Sequence, residues 1–420
     1  MAGERTIFHC DCNSFYASVE LLHHPELRDV PAAVCGDPEH RRGIVLAKNE
    51  PAKRFGVQTA ETVYSALRKC PQLHLLAPHH REYRAMSRRV NAIYAQYTDR
   101  VEPFGIDESW LDMTGTWHLF GQSPREVADA IRTRVRRETG LTLSVGVSFN
   151  KVFAKLGSDY KKPDATTVIG PEDVARIVWP LPVDALLYVG RSAGETLRGM
   201  GVKNIGQLAA MEPSALQARL GKLGLELSRY ARGEDDAPVR QAGERPEVKS
   251  VGNGMTFRRD LTGEDDVRAG LCALADEVAA RLREHGLRCR AVQVVIKDPG
   301  LKVISRQKHL EQATCLAKTI GAEAMELVRS NWDLTMPIRM LTVTALDLTD
   351  GSEPAQMSLF SVGETPEDKR REKLERSLDA IRRKYGKNAI AAADVIRNDI
   401  GLEEIEFEDE RLGEQAPGPT

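Results

Sequence analysis

Apolar and polar positions change their spacing along this chain, and each change marks an element. Thr6 to Cys10 is a short apolar run that reads as a strand, and Phe15 to about Leu22 has helical spacing. Between Pro25 and Pro78, Pro31–Cys35 and Ile44–Ala47 read as strands around a basic turn, with two short helices after them. Arg81 to about Tyr97 and Pro124 to Thr139 repeat their apolar residues at helical spacing, while Leu141 to Ser148 alternates like a strand. Arg100 to Met113 is extended and apolar, interrupted by an acidic pair. From Pro171 short helices alternate with glycine-bearing joints. Residues 241–248 are polar, hold Gly and Pro, and have no period, as a linker does. Beyond them Lys249–Thr256, Cys289–Val295, Lys302–Gln307 and Arg339–Leu348 read as strands, with helices at Val267–His285 and Ala313–Ser330. After Asp350 the chain reads as a polar tail. Within it Thr365-Pro366-Glu367-Asp368 starts a helix expected to reach Tyr385 and stop at Gly386.

The early order of strand, helix, strand, strand, helix, strand is ferredoxin-like and makes the chain α+β. Its 420 residues suit about three domains. Charged residues are 29% of the chain, but the formal net charge is only −2, so no overall basicity advertises nucleic acid. Binding a polyanion needs a basic face rather than a basic total. The seven cysteines are odd in number and scattered, and Cys10-x-Cys12 has no second pair to complete a zinc site. They read as reduced thiols of a cytoplasmic protein. No signal peptide and no apolar run near membrane-span length is present, so no membrane is expected.

The chemistry concentrates in Gly105-Ile106-Asp107-Glu108-Ser109-Trp110-Leu111-Asp112. Adjacent carboxylates in a buried run cost several kcal/mol, roughly, unless a cation partners them. Hard Mg²⁺ takes carboxylate oxygens and leaves positions open for water and phosphate. Asp11 closes the first apolar run. Two strands that each deliver a carboxylate are what two-metal phosphoryl transfer requires. Asp112 reads as a structural hydrogen-bonding carboxylate.

The motif D-x-N-S-F-Y-A-S-V-E at Asp11–Glu20 and I-D-E-S-W-L-D at Ile106–Asp112 resemble the catalytic palm of Y-family (translesion) DNA polymerases, closest to the bacterial DNA polymerase IV branch. The resemblance runs from about Thr6 to about Phe360. It implies a ferredoxin-like palm (1–14 and 80–169) with inserted fingers (15–79), then a helical helix-hairpin-helix thumb (170–240). A linker (241–248) and a C-terminal little finger of four strands and two helices (249–350) follow, and last a tail (351–420). The implied activity is template-directed addition of deoxynucleotides to a primer 3′-hydroxyl, at low fidelity and without proofreading. Two Mg²⁺ ions would be held by Asp11, Asp107, Glu108 and the backbone oxygen of Cys12. Asn13 stands where many relatives have a second, non-ligating aspartate.

The resemblance also implies further roles. Tyr16 matches the steric gate against ribonucleotides. Phe15 and Tyr16 lie at a helix N-terminus whose amides suit the triphosphate, the Phe15 side chain itself reading as core. Ile44 and Leu46 fall where the family roofs the nascent base pair. Lys48–Val57 resembles the fingers motif N-Y-x-A-R-K-F-G, but Glu50 replaces its tyrosine and Lys53 its arginine. Lys53 still suits phosphate as a point charge. Glu50 is expected to turn away and pair with a basic neighbour, leaving Lys48 or Arg54 the tyrosine's task. Lys162, last lysine of Ser158–Pro163, matches the palm lysine that reaches the triphosphate. Leu181–Arg191 begins a helix-hairpin-helix in which Val189 and Gly190 would hold DNA phosphates, with Tyr188 in place of the first hairpin glycine. Lys302, Arg306 and Lys308 alternate and would form a basic stripe for the duplex. Gln356, Leu359 and Phe360 of Gln-Met-Ser-Leu-Phe resemble the peptide that binds the bacterial sliding clamp. The implied partners are primer-template DNA, deoxynucleoside triphosphates and that clamp, with the chain a monomer. Two rivals remain: another palm-fold nucleotidyl transferase, such as a nucleotide cyclase, and a DNA- and clamp-binding scaffold with a decayed site, which Glu50 prompts. The region after Pro171 argues against the first, because a cyclase needs no thumb or little finger.

Overall fold

The chain opens with β1 (Ile7–Cys12) and α1 (Phe15–His23). A small sheet follows, with β2 (Ala32–Cys35), β3 (Val45–Lys48), α2 (Glu50–Arg54), α3 (Val63–Lys69) and β4 (His74–Leu76), its strands ordered β3-β2-β4. Then come α4 (His80–Tyr94), β5 (Val101–Pro103), β6 (Glu108–Asp112), α5 (Pro124–Thr139), β7 (Leu143–Ser148), α6 (Lys151–Tyr160) and β8 (Thr166–Ile169). With β1 these strands make a five-stranded sheet ordered β5-β6-β1-β7-β8. Its first four strands have the expected ferredoxin-like order. β8 extends it in parallel beside β7, and neither β8 nor α6 is legible from the strand count above. This computed structural model describes residues 5–37, 43–244, 247–350, 365–386, 389–390 and 399–402. They form two compact units, divided between residues 244 and 247.

The large sheet is covered on both faces, so every residue of β1 is buried. Phe8, Cys10 and Cys12 face a core shared with Tyr94 of α4 and Ile131 and Val135 of α5. Ile7 packs on the opposite side with Trp110 and Ala154 of α6. Helix α6 reaches the sheet because Gly146 of β7 has no side chain. A Cβ there would collide with the Ala154 carbonyl oxygen and the Ser158 amide, and a Cβ on Gly157 would come within 3.1 Å of the Gly146 Cα. Helices α7 (Arg191–Gly199), α8 (Ile205–Ala210), α9 (Pro213–Leu220) and α10 (Lys222–Ala231) follow. They gather Leu197, Ile205, Leu216 and Leu227 against Val152 and Phe153 of α6.

The second unit holds β9 (Ser250–Leu261), α11 (Gly263–Glu284), β10 (Arg288–Lys297), β11 (Val303–Thr314), α12 (Ala317–Asn331) and β12 (Ile338–Thr349). Its sheet is ordered β11-β10-β12-β9, with the two helices on one face. β11 runs seven residues past the expected Gln307, to Thr314, so α12 begins later than its apolar pattern suggests. The helix after the polar stretch forms as α13 (Pro366–Tyr385), opened by a reciprocal Thr365–Asp368 capping box. It does not stand apart from the unit. Its Glu375 and Asp379 both accept hydrogen bonds from Arg283 of α11, which is buried, and Glu375 also accepts from the Ala317 amide at the start of α12. Ile400 and Leu402 join the same core. The Gln356–Phe360 peptide lies outside the described residues.

Gly146→Ala should lower the stability of the first unit by about 3 kcal/mol, because strand and helix backbone have no room to yield. A urea melt followed by tryptophan fluorescence, to which Trp110, Trp117 and Trp179 of this unit contribute, reads this. A midpoint equal to wild type would mean that α6 does not depend on the gap.

Candidate active site

Antiparallel pairing in register places Asp11 directly beside Glu108. At the same end, the Cys12 amide donates to the Asp107 carbonyl at 3.0 Å. Residues two apart on a strand share a face, so His9 and Asp11 both look toward α6, away from Cys10 and Cys12. The ligating atoms of His9, Asp11 and Glu108 all lie within 4.8 Å of one another. Asp107 sits just before β6 and is not part of that tightest group, though Asp11 and Glu108 both act on its charge. Asp112 at the far end of β6 accepts from the Thr114 amide at 3.0 Å, the structural use expected of it.

Helix α6 carries the counter-charges. Lys155 Nζ lies 3.1 Å from Asp11 Oδ2, 2.9 Å from Glu108 Oε2 and 3.3 Å from Asp159 Oδ2. Lys162, just past the helix, sits 2.6 Å from Asp11 Oδ2 and 2.7 Å from Asp159 Oδ1. His9 ties helix to strand: Nδ1 is 2.8 Å from Ser158 Oγ and Nε2 is 3.2 Å from Glu108 Oε2. The adjacent carboxylates respond in opposite directions. Burial, then the charges of Asp11 and Glu108, pushes the Asp107 pKa up to about 6. Burial alone would also raise Glu108, but His9 and Lys155 pull it down to about 2. Burial pushes the Cys10 and Cys12 thiols well up, so both stay protonated and inert.

This donor set fits a divalent cation. Its carboxylate oxygens are hard ligands, and ammonium groups already lie against them, so the cleft collects positive charge. Beyond its 3.2 Å approach to Glu108 Oε2, the buried His9 Nε2 has no hydrogen-bond partner among the described residues.

Tyr16 and Phe15 open α1. Ser14, the residue before it, is left-handed at φ 47°, and no side chain caps the helix. Phe15 is buried in the core as read above. In the small sheet, Val45 points into the core while Ile44 and Leu46, on the other side of the strand, stay open to solvent in whole or in part. Glu50 turns to Lys53, 3.4 Å away, and Lys48 Nζ donates to Thr59 Oγ1 at 3.0 Å. Arg54 is exposed. Tyr188, which stands in place of the first hairpin glycine, is left-handed at φ 70°. Val189 beside it is buried, and Gly190 leads into α7.

One geometric expectation changes. Arg306 and Lys308 do point together, but toward α12. Arg306 donates to Asn331, and Lys308 Nζ lies 2.8 Å from both Glu323 and Glu326. The register explains it: they stand opposite Val294 and Val292, which face the helix-covered core. Lys302 precedes β11 and is exposed.

The impB/mucB/samB family model matches residues 10–159, and its C-terminal domain model matches residues 248–359. A DNA polymerase IV of Acetivibrio thermocellus is 45% identical over 405 residues, covering 96% of this chain and 100% of that one. DNA polymerase IV 1 of Bacillus subtilis is 37% identical over 388 residues, 92% of each chain. The chain belongs to the Y family of DNA polymerases, in its DNA polymerase IV branch. A solved Y-family polymerase chimera shares the fold with a TM-score of 0.71, at 21% identity, over 81% of this chain and 98% of that one.

Family motifs point to carboxylates, and so the contacts of His9 and Lys155 with them, and of Ser158 with His9, are not in the sequence reading. The signal for Lys155 was present: Lys155, Asp159 and Lys162 follow helical spacing from a run whose apolar residues fill one face.

Because burial raises Asp107 above its unfolded value, the fold favours its neutral form. That contribution is full below about pH 4 and is lost as pH rises through about 6. In EDTA, Asp107→Asn should match wild type near pH 4 and exceed it by about 2 kcal/mol above pH 7. Thermal melts across that range check the sign, and a pH-independent difference would refute the assigned cause.

Proposed function

We infer that this enzyme is a template-directed DNA polymerase of the low-fidelity translesion type, acting on DNA and deoxynucleoside triphosphates. The observation that carries the reading of its centre is the Asp11–Glu108 pairing beside Asp107, facing Lys155 of α6 and Lys162 just beyond it. Asp11, Asp107, Glu108 and the Cys12 backbone oxygen hold two Mg²⁺ ions in this proposal. Bound there, the metal supplies Lewis acidity toward the primer 3′-hydroxyl and the transferred phosphoryl group.

The chain's own residues do the rest. The first amides of α1 and Lys162 receive the triphosphate, with Lys53 assisting from α2. Tyr16 lies under the sugar and excludes a ribose 2′-hydroxyl. Ile44 and Leu46 cover the nascent pair. When Lys162 turns to phosphate, Lys155 stays to balance Asp11 and Glu108. We assign the palm to residues 1–14 and 80–169, the fingers to 15–79, the thumb to 170–240 and the little finger to 249–350. The hairpin amides at Val189 and Gly190 hold duplex phosphates. Of the three little-finger cations we keep Lys302 as the duplex contact, since the helix-side pairs of Arg306 and Lys308 favour a structural task. Gln356, Leu359 and Phe360 bind the sliding clamp, and the polymerase works as a monomer in the cytoplasm where clamp and nucleotides are found. The decayed-scaffold reading loses its motive, because Glu50 pairs with Lys53.

Primer extension with four deoxynucleotides and Mg²⁺ tests the whole reading. Asp107→Ala and Glu108→Ala should each abolish nucleotide addition while a gel shift still detects DNA binding. Extension near the wild-type rate in the double variant would remove these residues from the centre.

Leu359→Ala combined with Phe360→Ala should cost roughly 3 kcal/mol or more of clamp affinity, as two apolar anchors are lost together. Calorimetry against the clamp measures it. Undiminished affinity would move the contact to another surface.

A further inference from the structure

Glu20 is a buried carboxylate for which the catalytic geometry has no use. It lies on α1 with its side chain 2% exposed. It accepts a hydrogen bond from the Tyr83 hydroxyl of α4. Its two oxygens lie 3.0 and 3.1 Å from His79 Nδ1, at the start of α4. A buried carboxylate is retained where a specific partner holds it.

Tyr83 is the link to the nucleotide site. It is fully buried, and its ring stacks nearly flat on Tyr16, with centroids 4.1 Å apart and planes at 15°. Tyr16 and Glu20 are four residues apart on α1 and therefore share one helix face. That face grips Tyr83 at two points: Tyr16 covers the ring and Glu20 takes the hydroxyl. Phe15 meets the ring edge-on at 6.4 Å, and His80 stands against both tyrosines at 5.6 and 5.7 Å. Burial, then the bond to Glu20, holds the phenol protonated far above its ordinary range, so it remains a donor.

We propose that Glu20 and Tyr83 are positioning residues for sugar selection: Glu20 anchors Tyr83, and Tyr83 backs the Tyr16 ring so that it cannot retreat before a 2′-hydroxyl. A steric barrier discriminates only as far as it refuses to move. A tyrosine side chain turns about two torsions, and only what lies behind it keeps it in place. The hydroxyl–carboxylate bond is of the strong charge-assisted kind, so Tyr83 is the rigid member of the stack. The inference rests on the reading of Tyr16 as the sugar gate.

The test compares kcat/KM for a ribonucleoside triphosphate with that for its deoxy partner, in the full-length enzyme on one primer-template. Tyr16→Ala reports on the gate itself. Glu20→Ala and Tyr83→Phe should each raise the ribo-to-deoxy ratio by about ten-fold, mainly through a lower ribonucleotide KM. The double variant should go no further than either single one, because both break the same link. Glu20→Gln keeps an acceptor for the hydroxyl and should retain most of the discrimination.

A pair that merely holds α1 against α4 would lower the melting temperature and leave the ratio alone. If Tyr16→Ala raises the ratio while Glu20→Ala and Tyr83→Phe leave it at the wild-type value, the gate stands and the anchoring role is overturned. If Tyr16→Ala itself changes nothing, the gate reading falls and the inference falls with it. Should Glu20→Ala fail to fold, Tyr83→Phe, which removes a single oxygen, still decides between these outcomes.

Discussion

The whole acidic face depends on how closely α6 approaches the sheet. Antiparallel register puts Asp11 beside Glu108, but carboxylates on a covered sheet face would be costly without counter-charge. The missing side chain at Gly146 lets the helix settle at backbone contact, within reach of Lys155. The same contact brings Ser158 to His9 and so stiffens the strand beneath the acids. A helix held a side chain's width further out would leave the lysine short and the carboxylates unpaired. A packing constraint at one glycine therefore decides an electrostatic outcome two strands away.

Two departures from the family pattern show how local physics absorbs a change. Glutamate at position 50 would repel a polyphosphate if it faced one, yet at the start of α2 it meets Lys53 one turn on and takes that partner. Acid in the first turn and base in the last is also the favourable order for the helix dipole. Tyr188 is the less comfortable substitution. A left-handed tyrosine costs about 1–2 kcal/mol, and the conformation survives because the hairpin on either side of it is held, Val189 in the core and Gly190 at the head of α7. Its ring, 6.0 Å from that of Tyr230, recovers part of the cost.

Much of this was legible in the sequence. Strong periods gave α5 to the residue, and the four little-finger strands in order, because burial on one face leaves a repeat that composition cannot disguise. The acidic positions stood out for the opposite reason: charge inside an apolar run is improbable unless used. What stayed hidden was contact at a distance. Nothing near Arg306 or Lys308 says which face of β11 looks at α12, since an edge strand with both faces polar has no apolar alternation to set its direction. Helix α13 looked like part of a polar tail for a related reason. It docks through Glu375 and Asp379 on Arg283, ionic anchors that leave no apolar stripe to read. Tyr83 is an ordinary core aromatic until its hydroxyl is followed to Glu20.

The opposite shifts of Asp107 and Glu108 follow from one strand's geometry. Glu108 enters the sheet and faces α6, where His9 and Lys155 favour its anion. Asp107 stays outside the named strand, partly buried, and after burial the charges of Asp11 and Glu108 act on it most strongly. Four carboxylates (Asp11, Asp107, Glu108 and Asp159) thus share two ammonium groups (Lys155 and Lys162), negative charge is left in surplus, and Asp107 is pushed toward its neutral form. The lysines cover part of the negative charge in such a cleft and leave a remainder that suits a divalent cation. Since Asp159 lies within reach of both ammonium groups, neither lysine must abandon its last partner when a cation or a phosphate competes for it.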